Sequence, residues 1–370
     1  MLANDFQPNW IQSPGEVIAQ FMMLSELESS EIDSQTSEIL EKLKENKIKI
    51  NLLNVELISQ LIGGTTGFWI NLQNQYDLNV ERLLNKNLDP EFNEFKLTIR
   101  ELKAEKWLPI SDYSYLDQVN LKTFYGISEF STLETEAIIS NNLGSKLKGI
   151  GQYSISDLNL ATFVRKVEIE AGKQFKSSNA VWNKDFLISK LENIKTLTKC
   201  KKVLDIIPDL TKLLNECGVA LVFISPLSKT PICGLAKFIN YDKAVIAITP
   251  KFNRDHIFWQ TLFHELGHLV LHEDNMIFCD ENYESNNKSS IELEADNFMF
   301  EKLLFPFKSC DISNNINFKL IHYNKVGGWK EICQKAREMN ISPSLLTGIL
   351  KRKNLLPYKY YADKHYSIVD

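Results

Sequence analysis

Two histidines and a glutamate in TLFHELGHLVLH, residues 261 to 272, have the types and the spacing for metal-assisted hydrolysis. His264 and His268 are four residues apart, so on a helix they stand one above the other on a single face, separated by about 5.4 Å of rise. Two imidazoles so placed reach one ion. Zinc takes nitrogen ligands in tetrahedral geometry, and a catalytic site keeps one position for water. Glu265 is then placed to act as general base on that water, the chemistry of an H-E-x-x-H pattern. The competing reading is a packing helix that happens to carry two core histidines. Gly267 argues against it, because glycine costs about 1 kcal/mol relative to alanine inside a helix and needs a reason such as close approach of another backbone.

The element that must carry these groups is a helix: Trp259, Leu262, Phe263, Leu266, Leu269 and Val270 recur at three- and four-residue intervals. His256 falls near its start and reads as structural. His272 lies one turn beyond His268, where a further imidazole ligand would close the site against catalysis, so it reads as a helix-terminal or supporting residue. A third ligand is expected in SSIELEADNFMFEKLLFP, residues 289 to 306, a helix that Ser290 can cap. Glu292 and Asp296 share a face there, so Glu292 can bind zinc while Asp296 orients His264 or His268. In the alternative register Glu294 is the ligand. Before the histidine helix, VALVFI (219 to 224), ICGLAKFI (232 to 239) and AVIAIT (244 to 249) read as a small sheet, with a substrate strand expected on an edge such as the strand at 244 to 249.

Length and composition frame this site. A chain of 370 residues, 44% hydrophobic, holds two or three compact units. No run of eighteen apolar residues occurs and no basic segment precedes an apolar one at the N-terminus, so a cytoplasmic, membrane-free protein is expected. The six cysteines, Cys200, Cys217, Cys233, Cys279, Cys310 and Cys333, include no C-x-x-C pair, which fits reduced thiols in small core positions. Charge is uneven. Residues 1 to 80 contain four lysines, no arginine and eleven acids, whereas residues 311 to 370 contain ten Lys/Arg against five acids.

The first eighty residues read as short helices. Pro14 starts one, SEILEKLKEN forms another, and Asn51 is a plausible N-cap for LLNVELISQLI, which stops at Gly63-Gly64. Residues 81 to 210 read as a helical connector with no catalytic pattern. Residues 211 to 310 read as an α+β region around the histidine helix, and 311 to 370 as a basic helical tail in which Ser342-Pro343 begins a helix ended by Lys351, Arg352 and Lys353. Those three cations either complement the helix dipole or contact nucleic-acid phosphate. The expected fold class is α+β, mostly helical.

Two resemblances add to this reading. FWQTLFHELGHLVLH with the downstream ELEADNF and LLFP resembles the ImmA/IrrE family of zinc metallopeptidases, from about Val219 to Pro306 and more weakly through SPSLLTGILKRKNLLP. Pro14, Gly15 and Glu16, the helix from Asn51 to Gly63, and FWINLQNQYD from Phe68 to Asp77 resemble the Cro/repressor-type helix-turn-helix domain of HigA-like antitoxins. The segment LESSEIDSQTSEILEKLKE between Ser25 and Glu45, where the turn and the recognition helix belong, is acidic and lacks the glycine of that turn. Dimerisation or protein contact is therefore favoured over DNA binding for this domain. Together the resemblances imply a regulatory zinc peptidase that cleaves a repressor. The rivals are a non-catalytic transcriptional regulator and an antitoxin-type module whose acidic domain embraces a basic toxin.

Overall fold

Local signals at the N-terminus build the first helices. Ser13 and Glu16 form a reciprocal cap, with the Ser13 N–H donating to Glu16 Oε2 at 2.8 Å and the Glu16 N–H to Ser13 Oγ at 3.2 Å. Helix α1 (Pro14–Leu24) follows. Asp33 caps α2 (Ser34–Lys44) by accepting from the Gln35 and Thr36 N–H groups. Helix α3 (Val55–Ile62) ends at Gly63, whose φ of +84° only glycine adopts easily. Its N-cap position is held by Asn54, a correction to Asn51. Asn51 instead accepts from the Leu53 N–H at 2.8 Å in a turn of its own, and Asn54 Oδ1 ties back to the Asn51 N–H.

The computed structural model describes residues 12–24, 33–85, 88–111, 113–130, 155–230, 232–272, 278–279, 290–307 and 328–368. It divides into two units, Met1–Ser131 and Thr132–Asp370. Sequence patterning placed boundaries near residues 80, 210 and 310 instead. Helix α4 (Thr66–Asn85) runs through residue 80, and the helices after residue 155 pack onto the sheet instead of standing apart as a connector.

In the first unit the FWINLQNQYD motif supplies core and ties. Trp69 is fully buried among Val17, Ile18, Leu40, Ile58 and Ile62, and its indole N–H donates to the Gly63 carbonyl at 2.8 Å. Gln73 accepts from the Ile50 N–H and donates to Asp77. Helices α5 (Lys96–Ala104) and α6 (Ser114–Tyr125) complete the unit after a short 3-10 turn at Pro90–Phe95. Between Ser25 and Glu45 the described residues hold one helix, α2, with exposed Lys42–Glu38 and Lys44–Glu41 pairs; residues 25–32 lie outside the described residues.

The second unit is α+β. Helices α7 (Ile155–Phe175), α8 (Lys184–Leu197) and α9 (Val203–Asn215) precede strands β1 (Val219–Phe223), β2 (Gly234–Asn240) and β3 (Lys243–Ile248). After α10 (Asp255–Leu271) come β4 (Phe278–Cys279), α11 (Ser290–Leu304), α12 (Gly328–Glu338) and α13 (Pro343–Arg352). The sheet order is β1-β3-β2-β4, with β1 parallel to β3 and the other pairs antiparallel. Strand β3 is therefore central, not the edge expected for a substrate. It continues the chain from the β2 turn back between β1 and β2, so both its sides are paired. The outer side of β1 is capped at Leu221, whose C=O accepts from Gln174 Nε2 at 2.7 Å and whose N–H donates to Gln174 Oε1 at 3.3 Å. Helix α10 lies over the sheet, and fourteen of its seventeen residues are buried. No helix among the described residues is long and apolar enough to cross a membrane.

Candidate metal centre

Helices α10 and α11 meet at the glycine that the sequence made conspicuous. A Cβ on Gly267 would stand 3.1 Å from Phe298 Cδ1 and 3.2 Å from Ala295 Cα and its carbonyl oxygen, so the missing side chain lets the backbone of α10 approach the backbone of α11 at Ala295 and the Phe298 ring. That approach brings the first turn of α11 against the histidine face of α10.

Three donor atoms converge there. His264 Nε2 lies 3.0 Å from Glu292 Oε2 and 3.1 Å from His268 Nε2, and His268 Nε2 lies 3.5 Å from Glu292 Oε1. One ligand atom from each of the three residues can be chosen so that all lie within 4.8 Å of one another. Both histidines are 1% exposed. Asp296, one turn along α11, accepts from His264 Nδ1 at 2.9 Å, which turns Nε2 of that ring towards Glu292. Glu294 points away, 59% exposed, and meets His272 Nε2 at 3.1 Å. The structure thus brings Glu292, not Glu294, to the histidine pair. His272 is the C-cap residue of α10; its Nδ1 lies 3.3 Å from His268 Nδ1.

The electrostatics suit a cation. Burial pushes the His264 imidazole down, but hydrogen bonds to Asp296 and Glu292, helped by the charge of Glu265, override it and raise the ring to about 10. Burial likewise pushes Glu292 up, and the two histidines override it, holding the carboxylate well below its usual range. His268 is lowered, first by burial and then by its neighbours His264 and His272. Two imidazole nitrogens and one carboxylate around a site that favours positive charge fit a divalent metal of the zinc type.

Glu265 is fully buried beside this set. A Cβ on Gly234 would collide with Glu265 Oε1 and approach Thr261 Cγ2, so the first residue of β2 is glycine where the carboxylate lies against the strand. Sequence reasoning missed Gly234, since a lone glycine at a strand start has no distinctive spacing.

The three cations at the end of α13, read from the sequence as helix-dipole partners or phosphate contacts, each meet a partner within the unit. Lys351 is 4% exposed and its Nζ donates to His365 Nε2 at 2.9 Å. Arg352 Nη2 meets Asp296 Oδ1 at 2.6 Å, with both side chains largely buried. Lys353 Nζ lies 3.9 Å from the centroid of the Phe300 ring, and burial lowers its pKa. A helix end folded back over a protein core spends its charges on the partners it covers.

A second group with metal-like spacing, Asp255, His256 and His365, sits where the segment after α13 returns to the start of α10. Its rings stack at 3.8 Å between centroids. Asp255 Oδ1 already accepts from Ser344 Oγ at 2.8 Å and from the Tyr366 N–H at 3.0 Å.

Residues 221–306 match the family model Peptidase_M78, the IrrE N-terminal-like domain. The match runs from within β1 to just past α11 and contains His264, Glu265, His268, Glu292 and Asp296. It supports the ImmA/IrrE resemblance over this segment and does not extend to the first unit. No curated protein and no solved structure matches the chain.

Proposed function

We propose that the chain is a zinc-dependent endopeptidase that acts on a regulatory protein, a repressor being the substrate class the ImmA/IrrE resemblance implies. The observation that carries the reading is the convergence of His264 Nε2, His268 Nε2 and a Glu292 carboxylate oxygen beside the buried Glu265. His264, His268 and Glu292 would hold the zinc, and zinc when bound supplies Lewis-acid polarisation of water and of the scissile carbonyl.

The chain's own groups do the rest. The Glu265 carboxylate takes a proton from the attacking water and passes it to the leaving amide nitrogen, so that the C–N bond breaks with one water consumed. Asp296 keeps the His264 Nδ1–H in place and so fixes the ring's orientation. Our reading puts the substrate strand on the β2–β4 side of the sheet, because Gly234 on β2 lies against Glu265 and, among the described residues, β4 pairs with Leu235 and Ala236.

The test is zinc per chain in purified protein, followed by cleavage of candidate repressors. Wild type is expected to hold about one zinc and His268→Ala none. Glu265→Gln is expected to keep the zinc and lose cleavage. Absence of zinc from folded, zinc-supplied wild type would sink the reading. Zinc binding with equal cleavage by wild type and Glu265→Gln would remove Glu265 from the mechanism, and zinc binding with cleavage by neither would favour a binding regulator.

A further inference from the structure

Asp296 Oδ1 is shared. It accepts from His264 Nδ1 at 2.9 Å and from Arg352 Nη2 at 2.6 Å, so one oxygen links a candidate metal ligand to the last residue of α13. The pair is nearly dry, with side-chain exposures of 12% for Asp296 and 11% for Arg352. A buried carboxylate with one imidazole donor has a second oxygen and a free rotation with which to turn away. A guanidinium fixed on the same oxygen removes that freedom and offsets the cost of burying the charge. Arg352 is itself held in place. Its guanidinium lies 5.7 Å from the Phe300 ring centroid and its Nη1 approaches Met299 Sδ at 3.9 Å, both residues of α11. Lys353 Nζ lies 3.9 Å from the centroid of the same ring.

From this geometry we infer that Arg352 is a positioning residue of the metal centre: it locks Asp296, which orients His264, and so makes the C-terminal helix part of the site's metal affinity. Arg352 lies outside the matched segment, which ends at residue 306. The inference rests on the metal-binding reading given under Proposed function, and the experiment separates the two.

Zinc affinity is measured by competition with a chromophoric chelator on the full chain, and cobalt-loaded protein is followed by its visible spectrum. Wild type, Arg352→Met, Arg352→Lys, Asp296→Asn and the Arg352→Met/Asp296→Asn double variant are compared. Methionine keeps the packing against Phe300 without the charge, and lysine keeps the charge without the fork.

Arg352→Met is expected to weaken zinc binding by about ten- to a hundred-fold, the range seen when partners behind metal ligands are removed, and to alter the cobalt spectrum. The double variant is expected to lose no more than the worse single variant, since both remove one linked contact. Arg352→Lys is expected to fall between Arg352→Met and wild type. Wild-type affinity and spectrum in folded Arg352→Met would overturn the inference, as would fully additive losses in the double variant. If Arg352→Met fails to fold, Arg352→Lys decides: an unchanged affinity and spectrum overturn the inference, and a weakened affinity with wild-type melting temperature supports it. Absence of zinc from wild type is a failure of the metallopeptidase reading itself and is seen before any variant is compared.

Discussion

The two ends of α10 hold two groups of side chains whose spacing alone would suit a metal, and they differ in the charge that surrounds them. At the C-terminal half, His264 and His268 face Glu292, with Asp296 and Glu265 beside them, and His264 is raised to about 10. At the first turn, His256 and His365 lie near Asp255, with Lys351 and Arg254 also close to His365. There burial first, then His256 and Lys351, push His365 down to about 3. Lys351 Nζ donates to His365 Nε2, so His365 Nδ1–H donates to Ser344 Oγ, and the Ser344 hydroxyl donates to Asp255 Oδ1. That relay uses up the donors and tethers the segment after α13 to the start of α10. Proximity of ligand atoms makes a candidate; the sign of the surrounding charge separates a cation site from a hydrogen-bonded clasp.

The largest test of the contrast is metal stoichiometry. His264→Ala is expected to abolish zinc binding, while His256→Ala and His365→Ala keep about one zinc per chain. A second zinc in wild type that disappears in His256→Ala would break the contrast. Next comes Gly234→Ala, which drives a methyl into Glu265 Oε1. Zinc content is expected to persist while the cleavage rate falls by on the order of a hundredfold, the usual cost of misplacing a reacting group by about 1 Å; an unaffected rate would show that β2 yields without moving the carboxylate.

A smaller effect sharpens the helix contact beneath the metal site. Gly267→Val adds atoms where even a Cβ stands 3.1 Å from Phe298, and chemical denaturation is expected to show a loss of about 1–3 kcal/mol from overpacking. Zinc affinity should fall with it, because Ala295 lies between Glu292 and Asp296 on the displaced helix.

The mildest prediction concerns pH at the other end of α10. His365 is lowered from 6.5 to about 3 in the folded chain. Above pH 6.5 both folded and unfolded states hold it neutral. As the pH falls from 6.5 towards 3, only the unfolded state takes up the proton, so stability contributed at this residue declines across that window. His365→Gln, which can still accept from Lys351 and donate to Ser344, is expected to flatten the decline in stability measured between pH 7 and 4. An identical slope in the variant would show that the carboxylates elsewhere account for all of it.

Legibility followed the range of the interactions. The four-residue spacing of His264 and His268 sets their shared face by helix geometry alone, and Gly267 signals a close neighbour without saying which. The choice between Glu292 and Glu294 was narrowed to two registers of one helix but not decided, since it depends on how α11 is rotated against α10. Ala295 packing on Gly267 settles that rotation. The short apolar runs rich in β-formers give the three main strands but not their order, and a run such as 244 to 249 reads the same on an edge as in the middle of a sheet. Asn51 and Asn54 both suit a cap, and the competing turn at Asn51 chose between them.

What the sequence determined by itself is the chemistry within one helical turn: two imidazoles and a carboxylate in fixed relation on α10, and acids ready at the start of α11. The pairing of Arg352 with Asp296, the burial of Lys351 on His365 and the contact of Gly234 with Glu265 were decided by tertiary structure alone. The physical reason is that side-chain spacing along a helix is set by covalent geometry. A contact across 56 residues of chain depends instead on how separately formed helices and strands pack, and no local pattern records that.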